Sequence, residues 1–205
     1  MELVEIFIGI TLAYLIGSIP ISILISKLHF GIDIREHGQG EASHLNVRKV
    51  LGWKVSWLVR ILDVVKGWLA LSIYFFLQNQ LRMYDIASME IMQMSFGLAV
   101  ILGHIFPVWA RFKGGKGIHV AIGVMLFLAP QASLFCILIA IATWFFTQNQ
   151  NFGYIMGSAA LPVFMIMVGR NFTEYYVSML VFSCLIFIFL LATHYKSVFP
   201  SNHVR

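Results

Sequence analysis

The residues best suited to chemistry lie in one run, Gly103-His104-Ile105-Phe106-Pro107-Val108-Trp109-Ala110-Arg111-Phe112-Lys113-Gly114-Gly115-Lys116-Gly117. Gly114, Gly115 and Gly117 free the backbone to turn sharply and to present successive N–H groups. Such groups make a concave anion nest, and a helix starting near Ile118 adds the positive end of its dipole. Lys113 and Lys116 set two full charges beside it. This is chemistry for holding a phosphate. The same spacing also fits a flexible basic loop. It is not a P-loop, because the Gly-x4-Gly-Lys-Ser/Thr pattern is absent.

Two further clusters carry charge. Arg60, Asp63 and Lys66 are spaced i, i+3 and fall near one helical face at the entrance of an apolar run, where unpaired charge is expensive. Asp63 either orients Arg60 or Lys66 toward a site or makes an interfacial ion pair. The 31–52 segment is polar, punctuated by glycine and too long for a simple helix connection. It reads either as a functional loop, with Arg48 and Lys49 able to contact an anion, or as a solvated one.

His104 and His194 stand at the ends of apolar runs; His29, His37, His44, His119 and His203 have no better claim by spacing. There is no Gly-x-Ser-x-Gly nucleophile elbow, no His-x4-Asp pair and no His-Glu-x-x-His. Cys136 and Cys184 lie within apolar runs, with no Cys-x-x-Cys and no Cys/His spacing suited to zinc. Neither a metal nor a cofactor is expected.

The elements that must position these groups follow from composition. The 205 residues are 60% hydrophobic and 11% charged, with a mean hydropathy of +0.85. A soluble domain is about half apolar and about a quarter charged. The excess apolar surface must face lipid, which excludes disordered, disulfide-stapled and nucleic-acid-binding classes despite a net charge of +5. The expectation is a single all-α, membrane-embedded domain over 1–205 with no soluble appendage.

Seven apolar runs are predicted as spans, near 3–26, 56–78, 91–110, 118–130, 132–147, 153–169 and 174–193. The fourth and fifth are short, are separated by an Ala129-Pro130-Gln131 turn, and could instead form a re-entrant hairpin. The first is too long for the apolar core of a signal peptide and follows Glu2 and Glu5, so it is expected to stay as a helix. Basic residues gather at Lys27, Arg35, Arg48, Lys49 and Lys54, at Arg111, Lys113 and Lys116, and at Lys196 and Arg205. Seven crossings with the N-terminus outside put all three groups on the cytoplasmic face, as does the C-terminus; Arg82 falls in the outer link and Arg170 is the exception. The polar chemistry then lies at one interface rather than at the midplane, which counts against a transporter.

Taken together the segments resemble the acyl-phosphate:glycerol-3-phosphate acyltransferase family of bacterial membrane enzymes. The resemblance runs through Gly17-Ser18-Ile19-Pro20 and Lys27, Gly31-Ile32-Asp33-Ile34-Arg35 and Gly38, Asn46-Val47, Val50-Leu51-Gly52, Asp63-x-x-Lys66-Gly67 and the whole 103–117 stretch. Three places depart from the family pattern. After Gly38 the family reads Ser-Gly-Asn-x-Gly-Ala-Thr-Asn, whereas Gln39-Gly40-Glu41-Ala42-Ser43-His44-Leu45-Asn46 stands here, with an acid in a loop expected to hold phosphate. Of a C-terminal His-x-x-Asn-Ile-x-Arg, His194 survives, while Ser197 and Pro200 replace the other two; Asn202 and Arg205 follow out of register. A Tyr-x-Ser-x-x-Ser pattern is reduced to Tyr154 and a displaced Ser158.

The resemblance implies attack by the 1-hydroxyl of glycerol 3-phosphate on the carbonyl of an acyl phosphate, at the cytoplasmic side of a bacterial inner membrane. It assigns Lys116 and the Gly114, Gly115 and Gly117 backbone to phosphate, and Lys113, Arg48 or Lys49 to the second anion, with Asn46 orienting it. Lys27, Lys66 and Ser158 become further anion-facing candidates. His194 would order or deprotonate the hydroxyl, while His104 and Asp63 would orient the loop and its helix. Implied partners are the two substrates, membrane lipid and the enzyme that supplies acyl phosphate, with no nucleic acid. A silent homologue that binds without turnover, or a small phosphate-ester transporter, is the competing class.

Overall fold

Pro20 sets the first departure from a straight span. It lacks an N–H for the helical ladder and disfavours helical backbone at Ile19. In the computed structural model the run predicted at 3–26 is accordingly two helices, α1 (Glu2–Ser18) and α2 (Ile21–Phe30), bent by 41° between them. The structure describes residues 2–81, 86–168 and 176–198; Arg82, Arg170, Pro200, Asn202, His203 and Arg205 lie outside the described residues.

The remaining helices are α3 (His44–Leu51), α4 (Trp53–Leu81), α5 (Ile86–Ile105), α6 (Ile118–Leu128), α7 (Pro130–Thr147), α8 (Gln150–Val168) and α9 (Tyr176–Val198), and no strand occurs among the described residues. Within the described residues every predicted apolar run is mainly helical. Length and hydropathy together qualify three stretches as candidate membrane spans, Glu90–Ala110, Pro130–Thr147 and Tyr176–Tyr195, and a fourth where the bent α1–α2 pair is counted as one span. α4 is long enough, but its first half carries Lys54, Arg60, Asp63 and Lys66. α6, with 11 residues, reaches only about 16 Å, against roughly 30 Å of hydrocarbon. The expected Ala129-Pro130-Gln131 turn narrows to Ala129 alone. Pro130 opens α7, where its missing N–H would have had no intrahelical partner anyway.

The chain forms two compact units, Met1–Phe127 and Leu128–Arg205. In the first, α1 lies along α5 with Gly17 and Gly103 at the crossing. A Cβ on Gly17 would strike the Val100 carbonyl, and one on Gly103 the Tyr14 carbonyl. The 31–52 segment folds around a small apolar core of Ile23, Ile25, Ile34, Ala42, Val47, Val59 and Ala110. It contains α3 and is not a solvated loop throughout. In the second unit, α7 and α8 are joined by Gln148 and Asn149. Gln148 takes left-handed backbone, and the Asn149 side chain accepts the Phe152 N–H at 3.2 Å. Large apolar side chains stay exposed along the helices, among them Phe7, Trp57, Leu138, Phe146 and Ile188. They form the surface that lipid would cover.

Candidate active site

The glycine-rich loop is built backwards from the end of α5. Pro107 starts a single 3-10 turn, Val108–Ala110. Arg111 and Phe112 then take left-handed backbone, φ 54° and 59°, a conformation that costs non-glycine residues energy and reverses the chain. The Phe112 N–H returns to the Pro107 carbonyl at 2.9 Å, and the Lys113 N–H to that of Ala110 at 3.2 Å.

Gly114 and Gly115 next donate to the Ile105 and His104 carbonyls, both at 3.2 Å. These are carbonyls that the end of α5 leaves without helical partners. Glycine is required here by close approach. A Cβ on Gly114 would collide with the His104 carbonyl oxygen, and one on Gly115 with Nε2 of the His104 ring. The three-glycine nest expected from the sequence is corrected accordingly. Two of its N–H groups turn inward onto α5, because a helix end offers better acceptors than an open loop. Gly117, at φ 86°, turns the chain into α6. The N–H groups of Ile118 and Val120 precede the first bond of α6, from Ala121 to the Gly117 carbonyl at 2.9 Å.

Lys116 projects from this turn with its side chain 12% accessible, and its Nζ lies 3.1 Å from Oε2 of Glu41. Lys113 is exposed. The loop that supplies Glu41 is fastened by Asn46, which is fully buried. Its Nδ2 lies 2.9 Å from the carbonyls of Ile34, His37 and Glu41, and its Oδ1 accepts the Gln39 N–H at 2.7 Å. Asn46 thus orients its own loop, and its polar atoms are engaged by backbone rather than turned toward an anion. Ser43 caps α3 by accepting the Asn46 N–H at 3.3 Å. Arg48 and Lys49 are exposed in the last turn of α3, where they also oppose the negative end of the helix dipole.

A second fastener was not assigned a role from sequence. Asp33 accepts from Arg35 Nε at 3.0 Å and Nη2 at 2.7 Å, while Arg35 Nη1 donates to the Ala110 carbonyl at 3.0 Å. The turn at 33–36 is thereby tied to the glycine loop. The Asp-x-Arg spacing next to the loop was the available signal. The Arg35 hydrogen bonds hold the Asp33 carboxyl well below the usual carboxylate range, with Lys27 adding to them and partial burial opposing. Lys27, half-exposed, pairs with Asp33 at 3.1 Å.

Asp63 and Lys66 are both buried, 3.4 Å apart. Lys66 Nζ also donates to the carbonyls of Gly17 and Ile19, each at 3.0 Å, and lies 3.0 Å from His104 Nδ1. An ammonium can only donate. Toward Lys66, His104 Nδ1 therefore accepts; the same nitrogen lies 3.5 Å from Oδ1 of Asp63, and the Nε2 edge of the ring lies against Gly115. Lys66 is a helix fastener here rather than an anion-facing cation. Of the two possible partners, Asp63 takes Lys66, and Arg60 stacks over Trp57 at 5.0 Å.

In the second unit, His194 is fully buried. Its Nδ1 lies 3.0 Å from the Leu190 carbonyl, which can only accept, so Nδ1 carries a proton and donates. The ring stands edge-on to Tyr154 with centroids 5.8 Å apart. Ser158, also buried, donates to Ile155 at 2.8 Å. No His/Cys/Asp/Glu group suited to a metal occurs among the described residues.

A sequence model of the family described as glycerol-3-phosphate acyltransferase matches residues 7–199. The chain belongs to that family. A glycerol-3-phosphate acyltransferase of Chlorobaculum parvum is 38% identical over 75% of this chain and 67% of its own length. One of Desulforamulus reducens is 37% identical over 91% of this chain and 86% of its own. Among solved structures, the glycerol 3-phosphate form of PlsY (YgiH), an integral membrane glycerol 3-phosphate acyltransferase, superimposes with a TM-score of 0.80. It is 28% identical and covers 94% of this chain and 90% of that one. The lysophosphatidic acid form of the same enzyme gives 0.78. The chain is a helical membrane protein and an acyltransferase of this family, as the resemblance read from its motifs implied.

Proposed function

We propose that this chain transfers a fatty acyl group from an acyl phosphate to the 1-hydroxyl of sn-glycerol 3-phosphate, giving lysophosphatidic acid and inorganic phosphate. The observation that carries this is Lys116, largely shielded, held at a helix start by a loop bonded back onto α5. An acyl phosphate is a mixed anhydride and already activated. The hydroxyl oxygen forms the ester bond to the acyl carbon, the bond from that carbon to the phosphate oxygen breaks, and its electron pair leaves with phosphate. The protein then needs to align two mutually repelling anions and stabilise charge at the carbonyl and departing phosphate.

Lys116 and the N–H groups entering α6 are assigned to phosphate, with Gly114, Gly115 and Gly117 shaping the turn. Lys113, Arg48 and Lys49 are exposed cations for the second anion, and Lys27 and Ser158 stay secondary candidates. His194 is assigned to order or deprotonate the hydroxyl. His104 and Asp63 orient the loop through Lys66.

Residues 1–205 act as one domain, since the family match runs unbroken from 7 to 199. The seven apolar runs are read as seven crossings of the bacterial inner membrane, α6 being short for its crossing, with the N-terminus outside and the C-terminus and site cytoplasmic. The Arg35–Ala110 and Lys116–Glu41 contacts support this, because they join two basic segments assigned to one face. The acyl phosphate is supplied by a partner enzyme and its chain lies in the bilayer.

The test is reconstitution in liposomes with palmitoyl phosphate and labelled glycerol 3-phosphate. Labelled lysophosphatidate is the expected product. Label trapped inside without acylation would mean a transporter, and binding without either would mean a silent homologue.

A further inference from the structure

The loop carrying Glu41 is packed directly onto the glycine turn. A Cβ on Gly115 would stand 3.3 Å from the Ala42 carbonyl. Asn46 pins the Glu41 backbone through its carbonyl at 2.9 Å, so the root of the side chain is fixed. From that root the carboxylate reaches Lys116, placing Oε2 3.1 Å from Nζ. Oε2 is shut off from solvent, yet makes no hydrogen bond among the described residues. The ion pair with Lys116 is the contact that holds it there. A carboxylate held by a single ion pair is one that a better anion can displace, and phosphate brings more charge and more acceptor oxygens.

We infer that Glu41 is an internal competitor for phosphate: its carboxylate occupies the anion position on Lys116 and weakens the hold on a phosphorylated ligand or on released phosphate. The inference rests on the reading of Lys116 as the phosphate-binding cation. It makes Glu41 a determinant of affinity in this chain rather than a binding group. Its side chain is 43% accessible, so it can swing out when a phosphate enters without disturbing buried packing.

Labelled inorganic phosphate is the probe, with equilibrium dialysis of the full-length chain in detergent and acyl transfer measured on the same preparations. Glu41→Gln keeps the shape and removes the charge; Glu41→Ala removes both. Both are expected to bind phosphate roughly two- to fivefold more tightly than the wild type, the scale of one partly screened charge contact. Adding Lys116→Ala should erase the gain. Unchanged or weaker binding in the two Glu41 variants overturns the inference, as does a gain that survives loss of Lys116. Acyl transfer separates this from the functional reading. Wild-type turnover with no gain in the variants sinks only the competitor role, and a gain without turnover in any preparation sinks only the acyltransfer assignment.

Discussion

Lys66 and His104 meet inside the helices of the first unit, Nζ to Nδ1 at 3.0 Å. The same ammonium lies on the carbonyls of Gly17 and Ile19, so one cation gathers the end of α1, the middle of α4 and the end of α5. Through the His104 ring it also sets the floor on which Gly115 rests.

Lys66→Met should therefore destabilise the protein by about 3 kcal/mol, because it leaves the Asp63 carboxylate buried and unpaired. Lys66→Met with Asp63→Asn should recover part of that loss. Thermal unfolding in detergent, monitored by circular dichroism, measures both. Equal melting of the single and double variants would mean that the Asp63–Lys66 pair contributes nothing.

Asn46 lies against three carbonyls through Nδ2. Asn46→Asp would turn a carboxylate oxygen toward them, whereas Asn46→Ala only removes Nδ2, and the Ile34 and His37 carbonyls keep the His37 and Gly40 N–H groups. Both should unfold more easily by about 2–3 kcal/mol, with the aspartate at least as damaging as the alanine. If the aspartate variant proves as stable as the wild type, Asn46 does not fasten the loop.

Lys116→Ala should lower acyl transfer by a factor of about 100–1,000, the scale of losing one transition-state donor, while helical content and melting temperature hold. Lys116→Arg should not restore full rate, since a planar guanidinium cannot replace a compact ammonium in a tight turn. Near-wild-type kcat/KM in Lys116→Ala, measured at saturating palmitoyl phosphate, would remove Lys116 from the site.

Asp33 has a folded-state pKa below its ordinary value of 3.8. Its ionised form therefore stabilises the fold. That contribution is complete above the ordinary value and is lost as pH falls below it toward the folded-state one. Asp33→Asn should melt lower than the wild type at pH 7, and the gap should narrow as pH is lowered below 4. A gap that stays constant with pH would mean that the Arg35 and Lys27 bonds to Asp33 are not electrostatic in origin.

The motif-bearing stretches decide how far such expectations reach. Gly103–Gly117 was legible as a turn beside a helix start because glycine spacing and paired lysines impose it locally. What the glycines do was not. Seen as a sequence they free N–H groups for an anion, but two of those groups close the end of α5. That choice depends on His104 and Ile105 having open carbonyls within reach.

Lys66 shows the same division. Its spacing to Asp63 fixed a pair along one helix, yet its assignment between anion and scaffold turned on the Gly17 and Ile19 carbonyls, 47 and more residues away. The sequence by itself determined the apolar helices, their bilayer setting and the family, since these follow from hydropathy and short motifs; the break at Pro20, inside the run read as one span over 3–26, was not read from it. Only the tertiary structure decided which cations face an anion and which tie helices together. A charged group has many partners in sequence and only those within about 3–4 Å in space, and at that distance burial and competing acceptors choose.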